Sequence, residues 1–251
     1  MSETKQTQKT VGPEYRHRVR TRRLVPFHVR VKETDLMVYA EKDLSALTRE
    51  RILKYRRHIE VYIETHPEFA GSLSPVAIHE PVPRIIQEMA AAARTAHVGP
   101  MAAVAGAIAQ CVGMDLMSLP EGSPEVIVEN GGDVFVKTGT PVTVALYAGK
   151  SPLSFKIGLR IHSRQGPMGV CTSSGTVGHS LSLGKADAVC VLSPSCPLAD
   201  AAATAVGNAI RSGRDIPKGI DCGQKMEGVT GIVAVVGGEM GVWGDVELVR
   251  L

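Results

Sequence analysis

The sequence predicts an α+β fold in which a mixed or antiparallel sheet packs against helices on one face. The first observation is that long helical patterns occur together with short apolar runs bounded by turn residues. The second is that these short runs follow one another as hairpins, whereas strand–helix–strand units are few. This arrangement favours a two-layer α+β domain over a parallel α/β sheet.

Composition gives the first expectations about organisation and location. Of the 251 residues, 44% are hydrophobic and 21% are charged, a balance typical of globular proteins. Residues 1–13 are polar and slightly basic, so we expect a disordered tail there and a single domain over residues 14–251. The first residues lack the apolar segment of a signal peptide, and the sequence suggests no apolar run long enough to span a bilayer. We therefore expect a cytoplasmic protein without a membrane partner.

Charge and cysteine content argue against several function classes. The net charge is only +3, and much of the excess lies in residues 16–23. A basic run of this kind usually marks a solvated strand or arm, so nucleic acid is not an expected partner. The five cysteines form no C-x-x-C pair, which argues against a disulfide framework and against a zinc site. The sequence leaves open whether the chain forms a homo-oligomer.

The first part of the domain is predicted to be a hairpin followed by three helices. Two strands flank a turn at residues 33–35, and a long amphipathic helix then runs to His66. A second helix covers about residues 83–95. The third, at residues 101–113, is small and apolar on all sides and is therefore expected to be buried. Gly106 within it indicates that another segment approaches the helix backbone closely.

The second part is predicted to consist mostly of strands. We expect short strands at residues 126–128, 134–136, 142–147, 155–161, 188–192, 232–236 and 246–251. One helix, from about Pro197 to Arg211, interrupts them. Like the helix at residues 101–110, it is rich in alanine and has one internal glycine. This similarity leaves an internal duplication open.

A turn between two predicted strands is the first candidate binding segment. It consists of Asn130, Gly131, Gly132 and Asp133. An Asn-Gly pair is a strong hairpin signal. A second glycine, beyond what a hairpin needs, suggests a ligand that lies against bare backbone. Both interpretations, an ordinary hairpin and a ligand-binding turn, stay open at this point.

A hydroxyl-rich segment and a histidine form the second candidate. Thr172, Ser173, Ser174 and Gly175 offer hydroxyls and main-chain N–H groups that suit phosphate oxygens. An ordinary serine-rich turn has the same composition. His179 follows four residues later and can act as a catalytic acid or base, or as a structural histidine.

Asp200 and Thr204 are the candidate metal ligands. They lie four residues apart in the helix expected after Pro197, so their oxygens leave the same helical face. A carboxylate and a hydroxyl in this arrangement can hold a hard cation such as Mg²⁺. The alternative is that Asp200 serves the first turn of its own helix while Thr204 only packs. The Rossmann, P-loop and nucleophile-elbow motifs are absent, which argues against those enzyme classes.

Four segments resemble motifs of the ApbE family, the Mg²⁺-dependent flavin transferases that move FMN from FAD to a protein threonine, and more closely a bacterial and archaeal branch related to it. Residues 128–134, VENGGDV, are similar to N-x-G-G-D-[IV], and residues 172–175, TSSG, are similar to A-T-S-G. Residues 199–205, ADAAATA, are similar to A-D-A-L-A-T-A, which is the most specific match. Residues 97–103, HVGPMAA, are similar to D-L-G-A-I-A-K. The likeness extends from about residue 85 to the end.

The resemblance implies a fold, a ligand and a set of site residues. It implies an internally duplicated two-layer α+β fold that binds FAD or another nucleotide with Mg²⁺. Asp200, Thr204 and a main-chain carbonyl near Pro100 would hold the metal. The nucleotide would lie against the two candidate segments, at Gly131, Gly132 and residues 172–175. His179 would correspond to the histidine of the family motif H-I-x-D-P.

The chain also departs from the family pattern. The lysine of D-L-G-A-I-A-K falls on Ala103, and the aspartate of H-I-x-D-P falls on Ser182. The N-terminal part is poor in the aromatic residues that contact a flavin ring in the family. Two hypotheses therefore stand side by side. In the first, the protein is a transferase or hydrolase that acts on a flavin nucleotide or a similar phosphorylated small molecule. In the second, it keeps the fold and binds such a molecule without chemistry.

Overall fold

The computed structural model describes residues 19–20, 23–175 and 184–251, which form six α-helices and twelve strands. The helices are α1 (Ser45–Thr65), α2 (Pro67–Gly71), α3 (Arg84–Ala96), α4 (Val104–Ser118), α5 (Cys196–Ala209) and α6 (Ile216–Gln224). The strands are β1 (Val19–Arg20), β2 (Val25–Val31), β3 (Thr34–Ala40), β4 (Val126–Asn130), β5 (Asp133–Lys137), β6 (Val142–Ala145), β7 (Ile157–Ile161), β8 (Met168–Ser173), β9 (Ala188–Ser193), β10 (Gly231–Val236), β11 (Glu239–Gly244) and β12 (Glu247–Arg250). Short 3-10 turns at Pro100–Ala103 and Gly213–Asp215 lead into α4 and α6.

Eight of these strands form one antiparallel sheet through the middle of the molecule. Their order is β11-β10-β9-β8-β5-β4-β3-β2, so neighbours in the sheet are also neighbours in the chain except where β5 meets β8. The central strand β9 is buried at every position. Its sequence is a continuous apolar run because both faces of the sheet are covered.

The two faces of this sheet support two hydrophobic cores. On one face, side chains such as Val128 and Phe135 pack with residues from all six described helices. On the other face, Ile127 and Val134 pack against a second antiparallel sheet with the order β1-β6-β7-β12. The α+β fold class is confirmed: the expected layers of sheet and helices are present, and the second sheet adds a further layer.

Helix α4 is the apolar helix that the sequence predicted to be buried. It packs against α1, α3, α5 and the hairpin formed by β4 and β5. Gly113 brings it close to the sheet, because a Cβ at this position would lie 2.4 Å from the Phe135 ring. By length and composition the helical stretch Pro100–Ser118 could cross a membrane, contrary to the expectation that no run would be long enough. Half of this stretch is buried in the protein, and this packing accounts for its apolar character.

The order of elements repeats along the chain. In each half a hairpin is followed by helices and by a second hairpin: β2–β3, α1 to α4 and β4–β5, then β8–β9, α5, α6 and β10–β11. Both second hairpins turn on a Gly-Gly pair whose first glycine has a positive φ, 66° at Gly131 and 58° at Gly237. The matching helices are α4 and α6, which pack under these hairpins. This order agrees with the internal duplication that the sequence left open, and it places α6, rather than the alanine-rich α5, in the position of α4.

Four elements lie in stretches where no helix or strand was expected. Helix α2 lies in a stretch interpreted as a loop, and α6, β8 and β11 occupy stretches to which no element was assigned. These stretches contain proline and glycine, which are typical of loops, so their helices and strands were not predicted from the sequence. In α6, Gly219 and Gly223 allow close packing, because a Cβ would lie 2.6 Å from Ile210 and 2.5 Å from Ile232 respectively.

Candidate functional site

The first candidate segment is the tight hairpin between β4 and β5. Asn130 and Asp133 form the last pair of the two strands, and Gly131 and Gly132 make the turn. The φ of 66° at Gly131 is one that residues with a side chain rarely adopt. Because side chains alternate between the faces of a sheet, Asn130 and Asp133 share the helix-facing side with Phe135. The hairpin therefore directs two polar side chains toward the helices.

The Asn130 side chain connects this hairpin to the start of α4. Its Nδ2 donates a hydrogen bond to the main-chain oxygen of Ala105 at 3.1 Å. The next residue, Gly106, lies directly against α5. A Cβ on Gly106 would be 2.5 Å from the Cys196 oxygen and 2.9 Å from the Asp200 Cβ. The close approach expected at Gly106 is confirmed, and α5 is the segment that approaches.

Asp200 of α5 caps the N-terminus of α4. Its Oδ2 accepts a hydrogen bond from the Gly106 N–H at 2.9 Å, and the first N–H groups of a helix have no partner within the helix. Helix α5 begins at Cys196, so Asp200 is its fifth residue. The alternative role for Asp200, in the first turn of its own helix, is therefore wrong. In return, Gln110 Oε1 of α4 accepts a hydrogen bond from the Cys196 N–H at 2.9 Å, so α4 and α5 cap each other.

The second candidate segment is a strand end rather than a turn. Thr172 and Ser173 are the last residues of β8, and only Ser174 and Gly175 lie beyond it. Small hydroxyl residues are typical of turns, but pairing with β5 and β9 extends the strand here. The Thr172 N–H donates to the Gly132 oxygen at 3.0 Å, which joins the two candidate segments directly.

Side chains of β8 also face the start of α5. Cys171 lies opposite Asp133 in the sheet register, and its Sγ donates to the Cys196 oxygen at 3.3 Å. Ser173 shares this helix-facing side, whereas Thr172 lies on the side of the second sheet. Ser173 is only 8% exposed, and its Oγ has no hydrogen-bond partner among the described residues. Because a buried hydroxyl without a partner is costly, this atom is suited to a bound group.

The electrostatics of this region disfavour two neighbouring negative charges. Burial, and then the negative charge of Asp133, raise the pKa of Asp200 well above its usual value, while hydrogen bonds from the Gly106 and Ala105 N–H groups oppose the rise. Burial also raises the pKa of the Cys171 thiol well above its usual range, which keeps the thiol protonated. The donors on offer are therefore oxygens, which suit Mg²⁺ rather than zinc.

A cation at this place would need further oxygen ligands in addition to carboxylates. Within the ranges that the structure describes, no group of three or more His, Cys, Asp or Glu side chains could hold a metal ion. Thr204 is buried one turn beyond Asp200 on α5. Pro100 is also buried, and it opens the 3-10 turn that packs on α5. The remaining ligands for a cation would be hydroxyl, main-chain carbonyl, water and phosphate oxygens.

The three predicted segments thus come together at the N-termini of α4 and α5, and whether they line one pocket stays a prediction. The main chain of the second segment is partly engaged already, because the Gly175 N–H donates to the Ala186 oxygen at 3.0 Å. His179 lies outside the described residues, and so does Ser182. A groove of about 440 Å³ between α6 and β11 is lined by other residues.

Gln110 helps to build this region, and its role was not among the predictions from the sequence. Its partner Cys196 is 86 residues away in the chain, so no local motif could mark the contact. Its Nε2 also donates to Glu88 Oε2 of α3 at 3.1 Å. The one available signal was a polar residue within an otherwise small and apolar helix.

Comparison with known proteins gives the family. A family model described as "AbpE bacteria" matches residues 16–238. The chain is 39% identical over 221 residues to a UPF0280 protein of Methanococcus aeolicus, which covers 85% of this chain and 88% of the relative. It is 42% identical over 221 residues to a UPF0280 protein of Methanospirillum hungatei, which covers 87% of each chain.

A solved structure shares the fold. The apo form of the flavinyl transferase ApbE of Pseudomonas stutzeri matches 88% of this chain and 94% of its own length, with a TM-score of 0.54 at 14% identity. At this identity the likeness concerns the arrangement of sheets and helices alone. The family match and the UPF0280 relatives cover most of the sequence, and the chain therefore belongs to the ApbE-like family described as AbpE bacteria.

Proposed function

We propose that the protein binds a phosphorylated small molecule, first of all a flavin nucleotide such as FAD, together with Mg²⁺. The observation that carries the proposal is the meeting of the Gly-Gly hairpin, the end of β8 and Asp200 where α4 and α5 cap each other. Asp133 and Asp200 lie on elements that meet there, and so does Ser173, whose hydroxyl has no hydrogen-bond partner among the described residues. The shared fold with a flavinyl transferase supports a flavin nucleotide as the first ligand to test.

In this proposal Asp200, Thr204 and a main-chain carbonyl near Pro100 hold the cation. Bound Mg²⁺ would neutralise the negative charge of a diphosphate and fix the position of its oxygens. Mg²⁺ commonly completes its octahedral shell with water and phosphate oxygens, so we expect the protein alone to bind it weakly. Nucleotide and cation should then raise each other's affinity by the same factor.

The phosphate groups would lie against the hairpin turn and the end of β8. A Cβ on Gly131 would meet no atom within 4 Å, so the outer side of the turn is open to a ligand. The N–H groups of Thr172 and Gly175 already bond to main-chain oxygens. The hydroxyl of Ser173 is therefore a better candidate for contact with phosphate than those N–H groups. His179 is the proposed acid or base if the protein is an enzyme.

The alternative function, binding without chemistry, is favoured by Ala103. This residue stands where the family motif has a lysine, and it is fully buried at the end of the 3-10 turn. It offers no positive charge to a phosphate in the transition state. Incubation with FAD, Mg²⁺ and an acceptor protein, followed by in-gel flavin fluorescence, separates the two functions. We expect no flavinylated band, and a band that depends on this protein would establish the transferase.

Calorimetric titration tests the proposed ligands. FAD and ADP would be titrated into the protein with and without Mg²⁺. We expect tighter binding with Mg²⁺ for wild type and loss of that gain in Asp200→Asn. Binding that is identical with and without Mg²⁺ would refute the cation part of the proposal.

The cysteines support a cytoplasmic location for this function. All five are free thiols. Cys171 and Cys196 remain unbonded although their sulfurs lie 3.5 Å apart. Free thiols in such proximity fit a reducing compartment.

A further inference from the structure

We propose that Asp133 is a direct ligand of the divalent cation and shares it with Asp200. The inference rests on the proposed function and assigns to the cation a side chain that the sequence placed with the nucleotide. It concerns a carboxylate from the hairpin turn, 67 positions before Asp200 in the chain.

The first line of contacts runs from Asp133 through β8 to α5. Asp133 lies on the helix-facing side of β5 and directly opposite Cys171. The Cys171 Sγ contacts the main-chain oxygen of Cys196 at 3.3 Å. Asp200 lies one helical turn beyond Cys196 on α5. These contacts place the hairpin carboxylate beside the turn of α5 that carries Asp200.

The second line of contacts reaches Asp200 through α4. Asn130, the residue paired with Asp133 across the hairpin, bonds to the Ala105 oxygen at 3.1 Å. The next N–H in the chain, that of Gly106, bonds to Asp200 Oδ2 at 2.9 Å. Together, the two series of contacts join β5, β8, α5 and α4 into a closed ring. Asp133 and Asp200 both belong to this ring, and the negative charge of Asp133 acts on the Asp200 carboxylate.

The carboxylates and the hydroxyl in this ring are groups that a cation can bind. Asp133 is only 8% exposed, and two carboxylates in such surroundings repel each other unless a proton or a cation lies between them. Ser173, also on the helix-facing side of β8, adds a buried hydroxyl with no hydrogen-bond partner in the described part of the chain. Its position in the register is next to the Gly131–Gly132 turn, since the Thr172 N–H bonds to the Gly132 oxygen. Two carboxylates and one hydroxyl are a donor set for Mg²⁺ or Mn²⁺.

Titration with Mn²⁺ alone, with free Mn²⁺ measured by electron paramagnetic resonance, tests the assignment. We expect Asp133→Asn and Asp200→Asn each to weaken Mn²⁺ binding at least about 10-fold, since even residues that only support a ligand cost that much. The matched control is Glu239→Gln, which removes one negative charge directly after the second Gly-Gly turn, at an exposed position. It should change the affinity by less than about 2-fold, as expected for a distant exposed charge.

Thermal unfolding in EDTA provides a readout that does not involve metal. Asp133→Asn should melt in EDTA as a folded protein, so that weaker Mn²⁺ binding reports on the lost ligand and not on unfolding. If this variant does not fold, Asp133→Glu, which keeps the carboxylate, serves instead and should retain Mn²⁺ binding within about 10-fold.

The outcomes separate this assignment from the proposed function. If Asp133→Asn binds Mn²⁺ like wild type while Asp200→Asn does not, Asp133 is not a ligand, yet the cation site at Asp200 stands. If wild type binds no Mn²⁺ either alone or together with ADP, the assignment and the cation part of the proposed function both fall. If both Asn variants lose Mn²⁺ and Glu239→Gln does not, the assignment is supported.

Discussion

The Asp200 carboxylate is both the cap of α4 and a proposed ligand of the cation. Its hydrogen bond from the Gly106 N–H satisfies one of the free amides at the start of that helix. Alanine at this position would remove the cap, the charge and the ligand together. Asparagine keeps an oxygen that can accept the hydrogen bond but removes the charge. Comparing the two substitutions therefore separates the structural role from the metal role.

We predict that, without metal, Asp200→Asn has a free energy of unfolding about 1 kcal/mol higher than Asp200→Ala, because helix caps contribute about that much. Both variants lose the repulsion with Asp133, so that contribution cancels in the comparison. Urea unfolding followed by circular dichroism in EDTA measures the difference. Equal stability of the two variants would show that the contact with α4 does not act as a cap.

A second single-residue prediction concerns the hydrogen bond from Tyr62 to Glu80. The Tyr62 hydroxyl donates to Glu80 Oε1 at 3.0 Å, and this bond is the main cause that lowers the pKa of Glu80. A carboxylate with a lowered folded pKa adds stability above its unfolded pKa, about 4.3 for Glu, and loses it as the pH falls through the folded value.

We therefore expect Tyr62→Phe to have a lower Tm than wild type at pH 7 and a smaller deficit near pH 3. The phenyl ring preserves the edge-to-face contact with Phe69, so the comparison isolates the hydroxyl. Thermal melts between pH 3 and pH 7 give the difference at each pH. A deficit that stays constant over this range would contradict the explanation.

Residue types and spacing indicated part of the candidate site but not the hydrogen bonds that connect its segments. The polar turn at residues 130–133 and the pair of Asp200 and Thr204 stand out in the sequence because polar groups interrupt apolar runs. The bond from Asp200 to α4 could not be predicted, since it joins residues 94 positions apart. Likewise, the sequence could not show that the Ser173 hydroxyl has no hydrogen-bond partner among the described residues, because this depends on its neighbours in space.

At the scale of elements, the contact between α4 and α5 fixes the geometry of the site. Two helices can approach this closely only where one of them lacks a side chain. Gly106 provides this position, because a Cβ would overlap the Cys196 oxygen and the Asp200 Cβ. The packing of α4 on α5 thus sets the distance at which Asp200 meets the start of α4.

We predict that Gly106→Ala destabilises the protein by about 1–3 kcal/mol, the usual cost of overpacking a core. Alanine has the higher helix propensity, by about 1 kcal/mol, but main-chain atoms of α5 cannot move away easily. Gly71→Ala is the control, because a Cβ there meets nothing within 4 Å. Chemical denaturation of both variants measures the effect, and an unchanged or raised stability of Gly106→Ala would disprove the close contact.

Elements with strong periodicity were predictable, and elements defined by tertiary pairing were not. Helix α1 follows from its repeated apolar positions, and the hairpin of β4 and β5 follows from two apolar runs around a Gly-Gly turn. The end of β8 is composed of turn-forming residues, yet its neighbours β5 and β9 hold it extended. Strand β11 has two glycines, so its sequence gave no clear strand signal.

At the scale of the whole molecule, the two repeats form one sheet. They join where β5 pairs with β8, and both contribute residues to the core under the helices. The candidate site also lies at this junction, since its hairpin comes from the first repeat and β8 and α5 come from the second. Neither repeat can therefore build the site alone.

We predict that the protein unfolds in a single cooperative transition. The only tryptophan, Trp243, is in β11 of the second repeat and reports on that half, whereas far-ultraviolet circular dichroism reports on both. The two signals should have the same midpoint in urea. Earlier loss of the tryptophan signal would mean that the second repeat unfolds independently.

The position of a bound cation in a crystal would test the proposed site most directly. Crystals grown with Mn²⁺ and ADP would give an anomalous difference map at a wavelength where manganese scatters strongly. We predict one peak about 2.1 Å from carboxylate oxygens of Asp133 and Asp200, a typical distance for a small divalent cation, with the ADP phosphates beside the Gly131–Gly132 turn. ADP bound without such a peak, or bound in the groove between α6 and β11, would show that Asp133 and Asp200 do not form a cation site for the nucleotide.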